Sequence, residues 1–241
     1  MITGASSGMG AETAILCSQL GASVILVARR EEKLIEVKEK LEGNGHIIFP
    51  FDLSKVDEIE GLVKSIITES GALDGFVHSA GISSTRPLKM LKPSHLSEVM
   101  NINFNSFVEI TRCITKKNCF NDGLSIVGVS SISSTLGNQT KTAYCASKAA
   151  MDAVVRCFAK EFAKDGVRAN TVCPGMINTD IYEKFKDNAG DSYDAEVRMY
   201  RQYLGLGEPA DVAEVIAFLL SNASRFITGS NIGVDGGMLS S

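Results

Sequence analysis

The sequence predicts an α/β fold, a doubly wound parallel sheet flanked by helices on both faces. The first observation is that short β-branched runs alternate with longer amphipathic stretches along the 241 residues, as they do in βαβ units. The second is that runs such as residues 24–27 are almost continuously apolar, which is typical of strands buried on both sides.

The alternation assigns the elements in order. The predicted strands are residues 23–27, 46–51, 73–78, 124–130, 168–173 and 231–234. The predicted helices are residues 10–20, 31–41, 56–69, 95–113, 143–164 and 209–221. A further strand has to precede the first helix, and only Met1, Ile2 and Thr3 are available for it before Gly4. We expect so short a strand to expose a sheet edge or to leave a gap.

The composition is that of a globular protein. Lys plus Arg number 24 and Asp plus Glu number 28, which gives a formal charge of −4, and 44% of the residues are hydrophobic. This apolar content excludes disorder as the main state, and the length fits one domain, residues 1–241. The mild acidic balance without a basic run argues against nucleic acid as a partner.

The sequence also predicts a cytoplasmic location without a membrane partner. No apolar run approaches the ~18 residues of a membrane-spanning helix, and the first residues lack a signal-peptide pattern. The cysteines form no C-x-x-C pair, so we expect them to be reduced and buried as small hydrophobic residues. They are Cys17, Cys113, Cys119, Cys145, Cys157 and Cys173.

The polar segment 178–207 is long for a loop between a strand and a helix. It ends in Gly205-Leu206-Gly207, just before the predicted helix that begins at Pro209. Loops at the carboxyl ends of parallel strands surround the ligand, and loops of this length are usually functional. We predict a substrate lid at 178–207, with a surface insertion as the alternative.

A glycine-rich loop precedes the first predicted helix, with the spacing T-G-x-x-x-G-x-G over residues 3–10. Glycines let the backbone approach a pyrophosphate closely, and the helix N-terminus supplies N–H donors and a positive dipole end. Because a helix and then a strand follow, we predict a Rossmann-type dinucleotide site rather than glycines that only mark a turn. The candidate binding residues are Gly4, Ser6, Ser7, Gly8, Met9 and Gly10.

The second predicted strand runs into Ala28-Arg29-Arg30, with no carboxylate. Dinucleotide folds that prefer NAD place Asp or Glu here, whereas those that prefer NADP use Arg for the 2′-phosphate. A guanidinium pairs with phosphate through a bidentate fork. We therefore expect the cofactor to be NADP(H), with NAD(H) as the alternative. Arg29 would be the main residue that binds the 2′-phosphate, and Arg30 lies next to it in the sequence. The other interpretation is that both arginines open a solvated helix.

Tyr144 and Lys148 stand four residues apart near the start of a predicted helix, so their side chains share one face. A nearby cation lowers the pKa of a phenol from about 10, which allows the phenol to act as a general acid–base near neutral pH. Ser130-Ser131 end a predicted strand thirteen residues before Tyr144. Taken alone, the pair also fits a packed Tyr beside a surface Lys.

Together these motifs resemble the short-chain dehydrogenase/reductase family in its compact single-domain branch, over almost the whole chain. The matches to the cofactor motifs are residues 3–10, Asp52-Leu53, Ala80-Gly81 and residues 170–179, and Asp235-Gly236-Gly237 matches the C-terminal signature of the family. The matches to the active site are Asn103, Ser131, Tyr144 and Lys148.

The resemblance implies that the protein reduces a carbonyl. Tyr144 would donate a proton to the carbonyl oxygen and Ser131 would hydrogen-bond that oxygen, while NADPH delivers hydride to the carbon. Lys148 would hold the nicotinamide ribose hydroxyls and lower the pKa of Tyr144, and Asn103 would fix a water for proton resupply. Further cofactor contacts would come from Pro174, Gly175, Ile177 and Thr179, of which Thr179 would bond the carboxamide.

One motif departs from the family pattern. Where the family has N-N-A-G, this chain has His78-Ser79-Ala80-Gly81. The second Asn normally ties neighbouring strands together, and Ser79 has a shorter reach. Ala80 and Gly81 keep the close approach to the cofactor. We interpret His78 as a core histidine at the end of a strand.

Other classes of function have less support in the sequence. A hydrolase lacks support because no G-x-S-x-G elbow surrounds Ser130-Ser131, and the three scattered histidines and unpaired cysteines do not suggest a metal site. A non-catalytic NADP-sensing protein and an oxidative sugar or steroid alcohol dehydrogenase stay open. The general resemblance is to bacterial-type 3-oxoacyl-carrier-protein reductases, which implies a substrate linked to acyl carrier protein and a homotetramer or homodimer.

Overall fold

A computed structural model describes residues 1–179, 182 and 201–240. Its strands are β1 (Ile2–Thr3), β2 (Ile25–Ala28), β3 (Ile47–Pro50), β4 (Leu73–His78), β5 (Phe120–Val129), β6 (Arg168–Pro174) and β7 (Asn231–Val234). Within the described residues these seven strands form one parallel sheet in the order β3-β2-β1-β4-β5-β6-β7. The strand order reverses between β1 and β4, so the predicted doubly wound class is confirmed.

Helices cover both faces of the sheet. They are α1 (Gly8–Gln19), α2 (Glu31–Lys38), α3 (Ile59–Ser70), α4 (Pro93–Met100), α5 (Ser106–Ile114), α6 (Thr142–Glu161) and α7 (Pro209–Leu220). Successive strand residues point to opposite faces, as Phe76 and Val77 do. Phe76 packs in a core with α3, α5 and α6, and Val77 packs in a second core with α1, α2 and α7.

The first strand has only two residues, and it lies inside the sheet. Ile2 pairs with Leu26 of β2 on one side and with Val77 of β4 on the other. A cavity of about 830 Å³ lies next to this strand. Its lining includes Met1, Val24 directly before β2, and Gly75 of β4. The strand is paired on both sides, so β1 itself exposes no sheet edge.

The predicted helix 95–113 is interrupted. α4 ends at Met100, a π-helical turn spans Asn101–Asn105, and α5 begins at Ser106. A π turn inserts a residue into the helical ladder and is frequent at functional sites. Here it turns Asn103 into the protein, where its side chain is fully buried.

The cysteines are free, and no helix in the described ranges is long and apolar enough to cross a membrane. Cys17, Cys113 and Cys173 are buried as expected. The expectation of burial is wrong for Cys157, which is exposed, and for Cys119 and Cys145, which are partly exposed. Cys157 lies on α6 outside the set of residues that the helix buries, and its Sγ is 3.9 Å from the Ala153 carbonyl of the same helix.

Candidate active site

Two neighbouring cavities open at the carboxyl ends of the central strands, the edge where open α/β sheets bind ligands. The first has a volume of about 380 Å³ and is lined by the glycine loop, the end of β2 and the residues after β4. The second has a volume of about 270 Å³ and is lined by Ser131, Tyr144 and the residues after β6. Met9 and Thr179 line both cavities, so the two adjoin.

The glycine loop lines the first cavity and leaves no room for a larger side chain at Gly4. Gly4 has a φ of +67°, and a Cβ there would lie 2.6 Å from the backbone nitrogen of Ala80. Gly8 has a φ of +55° and is the first residue of α1. Of the predicted loop residues, Gly4, Ser6, Ser7, Gly8 and Met9 line the first cavity.

Gly10 does not line that cavity. It is buried, and a Cβ there would collide with the carbonyl of Gly4. A glycine at this position allows the close packing of α1 against the loop, and contact of Gly10 with a cofactor stays a prediction.

The end of the first cavity nearest β2 is cationic. Arg29 and Arg30 are exposed and line it, and Arg30 Nη2 donates a 3.4 Å hydrogen bond to Ser6 Oγ. Asp52 and the buried Leu53 also line this cavity. The pKa of Asp52 is lowered chiefly because its carboxylate accepts the 3.0 Å hydrogen bond from the Ser54 N–H, with a smaller contribution from the charge of Arg29.

The structure brings the four predicted catalytic residues to one place. Ser131 follows β5, and Tyr144 and Lys148 lie on the first two turns of α6, with Lys148 Nζ 5.8 Å from the centre of the Tyr144 ring. A Cβ on Gly81 would lie 3.4 Å from Lys148 Nζ and 3.5 Å from Asn103 Oδ1. Ala80 and Gly81 therefore pass between the first cavity and these side chains.

Asn103 is fixed by three hydrogen bonds. Its Oδ1 accepts from the N–H of Ile82 at 2.8 Å, and its Nδ2 donates to the Ile82 carbonyl at 3.0 Å and to Ser147 Oγ at 3.0 Å. The π turn thus docks on the chain just after Gly81 and on α6. A water-holding role for Asn103 stays a prediction.

Burial shifts the pKa values of both titratable groups. It lowers the pKa of Lys148 to about 8, and Lys148 Nζ donates a 2.6 Å hydrogen bond to the Val129 carbonyl. Burial also raises the pKa of Tyr144, and a side-chain hydrogen bond with Ser131 only partly opposes this. Desolvation of the phenol is the largest cause of this shift, and the expected lowering of the Tyr144 pKa by Lys148 stays a prediction.

The residues after β6 close the second cavity. Pro174, the last residue of β6, lines it together with Gly175, Ile177 and Thr179, and their contact with a nicotinamide stays a prediction. Ile177 bridges to Gly207, and the Asn178 N–H donates to the Gly207 carbonyl at 2.8 Å. The two ends of the predicted lid are therefore held together. Residues 180, 181 and 183–200 of the lid lie outside the described residues.

Sequence reasoning missed Gln202, which holds this closure. Its side chain is buried, accepts from the Met176 N–H at 2.8 Å and donates to the Met176 carbonyl at 2.9 Å. A Gln in a polar segment carries no signal of its own that would have singled it out.

His78 is the buried strand-end histidine that the sequence predicts. Its Nδ1 lies 3.0 Å from Thr3 Oγ1 and its Nε2 lies 3.5 Å from Ser106 Oγ, between the rings of Phe76 and Phe107. It links the strand before the glycine loop to the helix after the π turn. It lines neither of the two cavities.

Comparisons with known proteins agree with this geometry. A family model described as "Enoyl-(Acyl carrier protein) reductase" matches residues 4–239. The chain is 34% identical to a 3-oxoacyl-[acyl-carrier-protein] reductase of Thermotoga maritima, covering 99% of this chain and 96% of the relative. It is 35% identical to a glucose 1-dehydrogenase of Gluconobacter oxydans, covering 99% and 90%.

Solved structures give the same result. A short-chain type dehydrogenase/reductase from Mycobacterium ulcerans superposes with a TM-score of 0.89 at 31% identity, covering 99% of this chain and 88% of that one. A putative short-chain alcohol dehydrogenase from Sinorhizobium meliloti superposes with a TM-score of 0.92 at 28% identity, covering 100% and 95%.

Proposed function

Because the chain belongs to the short-chain dehydrogenase/reductase family of oxidoreductases that act on CH–OH and C=O groups, we propose that it reduces a carbonyl with NADP(H). We take residues 1–241 as a single cofactor-binding and catalytic domain. The proposal depends mainly on one observation. Ser131, Tyr144 and Lys148 lie close to the buried Asn103, directly beside the cavity that the glycine loop lines. Two arginines line the same cavity near the end of β2.

The first cavity fits a phosphorylated dinucleotide. A side chain at Gly4 would fill the space against Ala80, and α1 begins at Gly8 with its N-terminal N–H groups and dipole directed at the cavity. At the end of β2, Ala28 presents no carboxylate, and Arg29 and Arg30 present two guanidinium groups to a 2′-phosphate. NADPH, when bound, would supply the hydride.

Four residues of this chain would carry out proton transfer and hold the substrate and the cofactor. Tyr144 is the general acid that donates its phenolic proton to the substrate oxygen, and Ser131 holds that oxygen by a hydrogen bond. Lys148 binds the ribose hydroxyls, and Asn103 holds a water that resupplies protons. Because burial raises the pKa of Tyr144, the phenol keeps its proton at neutral pH, which suits donation during reduction.

The substrate we favour is a 3-oxoacyl group on acyl carrier protein. Several relatives with this activity in their names match 99% of this chain. A sugar dehydrogenase is the second candidate, because the glucose 1-dehydrogenase of Gluconobacter oxydans matches equally well. The second cavity has apolar lining from Leu136, Met176 and Met238, which favours an acyl chain over a sugar. We also propose a cytoplasmic homotetramer or homodimer.

Cofactor titration tests the proposal. Purified protein is titrated with NADPH and NADH by nicotinamide fluorescence, and Arg29→Ala is compared with the wild type. We expect tighter binding of NADPH, and a loss in Arg29→Ala of about tenfold for NADPH alone, because an exposed Arg–phosphate pair contributes roughly 1.4 kcal/mol.

Turnover on a 3-oxoacyl thioester and on glucose then separates the two substrates. An equal loss of NADPH and NADH affinity in Arg29→Ala would contradict the phosphate assignment. Binding without turnover of any carbonyl would favour the NADP-sensing alternative.

A further inference from the structure

A buried carboxylate that the proposed mechanism does not use lies one helical turn beyond Lys148. Asp152 follows Lys148 by four residues in α6, so the two side chains share a helix face. Asp152 is only 6% exposed. Its Oδ1 accepts a 2.9 Å hydrogen bond from Thr171 Oγ1 of β6, and Cys173 Sγ lies 3.9 Å from both of its oxygens.

Lys148 needs a compensating charge. It is 3% exposed, and its ammonium donates to the Val129 carbonyl, which is a dipole rather than a charge. A buried ammonium without an anionic neighbour loses its proton. The negative charge of Asp152 acts in the opposite direction to burial and raises the pKa of Lys148 toward its ordinary value.

The other titratable groups around Lys148 do not supply that charge near neutral pH. From β4, His78 has its pKa lowered to about 3, first by burial and then by Lys148, so it is neutral. From β6, burial raises the pKa of the Cys173 thiol to about 11, and from α6 burial raises the pKa of Tyr144. Within the described part of the chain, Asp152 is therefore the source of negative charge in the surroundings of Lys148.

We propose that Asp152 is a positioning residue that acts through Lys148: its carboxylate, anchored by Thr171, keeps the buried ammonium protonated in the cofactor site. The inference rests on the proposed function only for the role of Lys148 in cofactor binding. The placement of Asp152 beside Lys148 is independent of that function: both side chains are buried four residues apart on α6, and Thr171 of β6 holds the carboxylate.

The test is Asp152→Asn, which keeps an oxygen acceptor for Thr171 and removes the charge. NADPH affinity is measured by fluorescence from pH 6 to pH 10. The wild type is expected to lose affinity through about pH 8, where Lys148 deprotonates. The midpoint of the variant should lie about one pH unit lower, so its affinity at pH 8 falls about fivefold while the two proteins agree at pH 6.

Asp165→Asn is the matched control, because it removes an exposed carboxylate just beyond the same helix. It should leave the midpoint unchanged. A purely structural Asp152 would weaken binding by the same factor at every pH, and that result would overturn the proposal. If Asp152→Asn does not fold, Asp152→Ser removes the charge with a smaller polar side chain and should move the midpoint in the same direction. An unmoved midpoint would then overturn the proposal.

A second readout does not depend on the cofactor. Titration of ¹³C-labelled lysine by NMR, with the Lys148 signal assigned by Lys148→Arg, should show a lower midpoint for Lys148 in Asp152→Asn. If the titration midpoint of Lys148 is the same in Asp152→Asn as in the wild type, the inference is overturned, whichever ligand the protein binds. Absence of NADPH binding with a shifted Lys148 midpoint would instead refute the proposed function alone.

Discussion

At the scale of single residues, burial decides the charge states in and around the site. Lys148, Tyr144 and His78 all have their pKa values moved by desolvation first, and each moves toward the neutral form. The site therefore depends on neighbours that restore particular charges. The sequence spacing placed Tyr144 and Lys148 on one helix face correctly, but it could not reveal how deeply the fold buries the phenol and the ammonium.

His78 makes the fold sensitive to acid. Its pKa is about 3 in the folded protein against about 6.5 in an unfolded chain, so below pH 6.5 the unfolded state binds a proton that the folded state does not. The unfolding free energy should therefore fall by up to about 1.4 kcal/mol per pH unit between pH 6 and pH 4 from this group alone.

Urea unfolding at pH 6.5 and pH 4.5 checks this prediction. His78→Gln lacks the titrating ring and should lose stability at both pH values, because it disrupts the bonds to Thr3 and Ser106, yet it should show a shallower decline between them. An equally steep decline in the variant would show that other groups cause the acid sensitivity.

At the scale of elements, the glycine loop depends on one crowded turn. Gly4→Ala would force a Cβ to within 2.6 Å of the Ala80 nitrogen at a φ of +67°, so both the turn and the approach to Ala80 should shift. We expect a loss of stability of about 1–3 kcal/mol and a loss of NADPH binding of more than tenfold.

Gly21→Ala is the matched control for that experiment. Gly21 also has a positive φ, of +89°, but nothing lies within 4 Å of its Cβ position. It should be destabilised by backbone strain without a change in NADPH affinity, as followed by thermal unfolding and fluorescence titration. Equal effects of the two variants on binding would show that crowding at Ala80 does not shape the loop.

The same scale shows what sequence patterns resolve and what they miss. Strand β4 is predicted with its observed bounds, because an apolar run between turn signals is a local property. Strand β5 begins at Phe120, four residues before the prediction, because Phe120 pairs with Leu73 of β4 and the register then shifts across the exposed residues before Leu124. The π turn at Asn101–Asn105 is invisible to periodicity, since one extra residue in a helix leaves the apolar spacing almost intact.

At the scale of the whole molecule, two apolar cores hold the helices against the sheet and stabilise the fold, and both cavities of the candidate site open at one edge of the sheet. Motif residues distant in sequence meet there because parallel strands bring all their carboxyl ends to the same edge. Gln202 and Asp152 support the site by contacts between elements, and neither belongs to a motif that a sequence could reveal.

Turnover by Tyr144→Phe tests the central claim most directly. The wild type and the variant are assayed with NADPH and a 3-oxoacyl thioester, and NADPH affinity is measured in parallel. Loss of the phenolic proton should reduce turnover by at least about 10²-fold while NADPH affinity stays close to that of the wild type. Turnover retained by the variant would contradict the assignment of Tyr144 as the general acid.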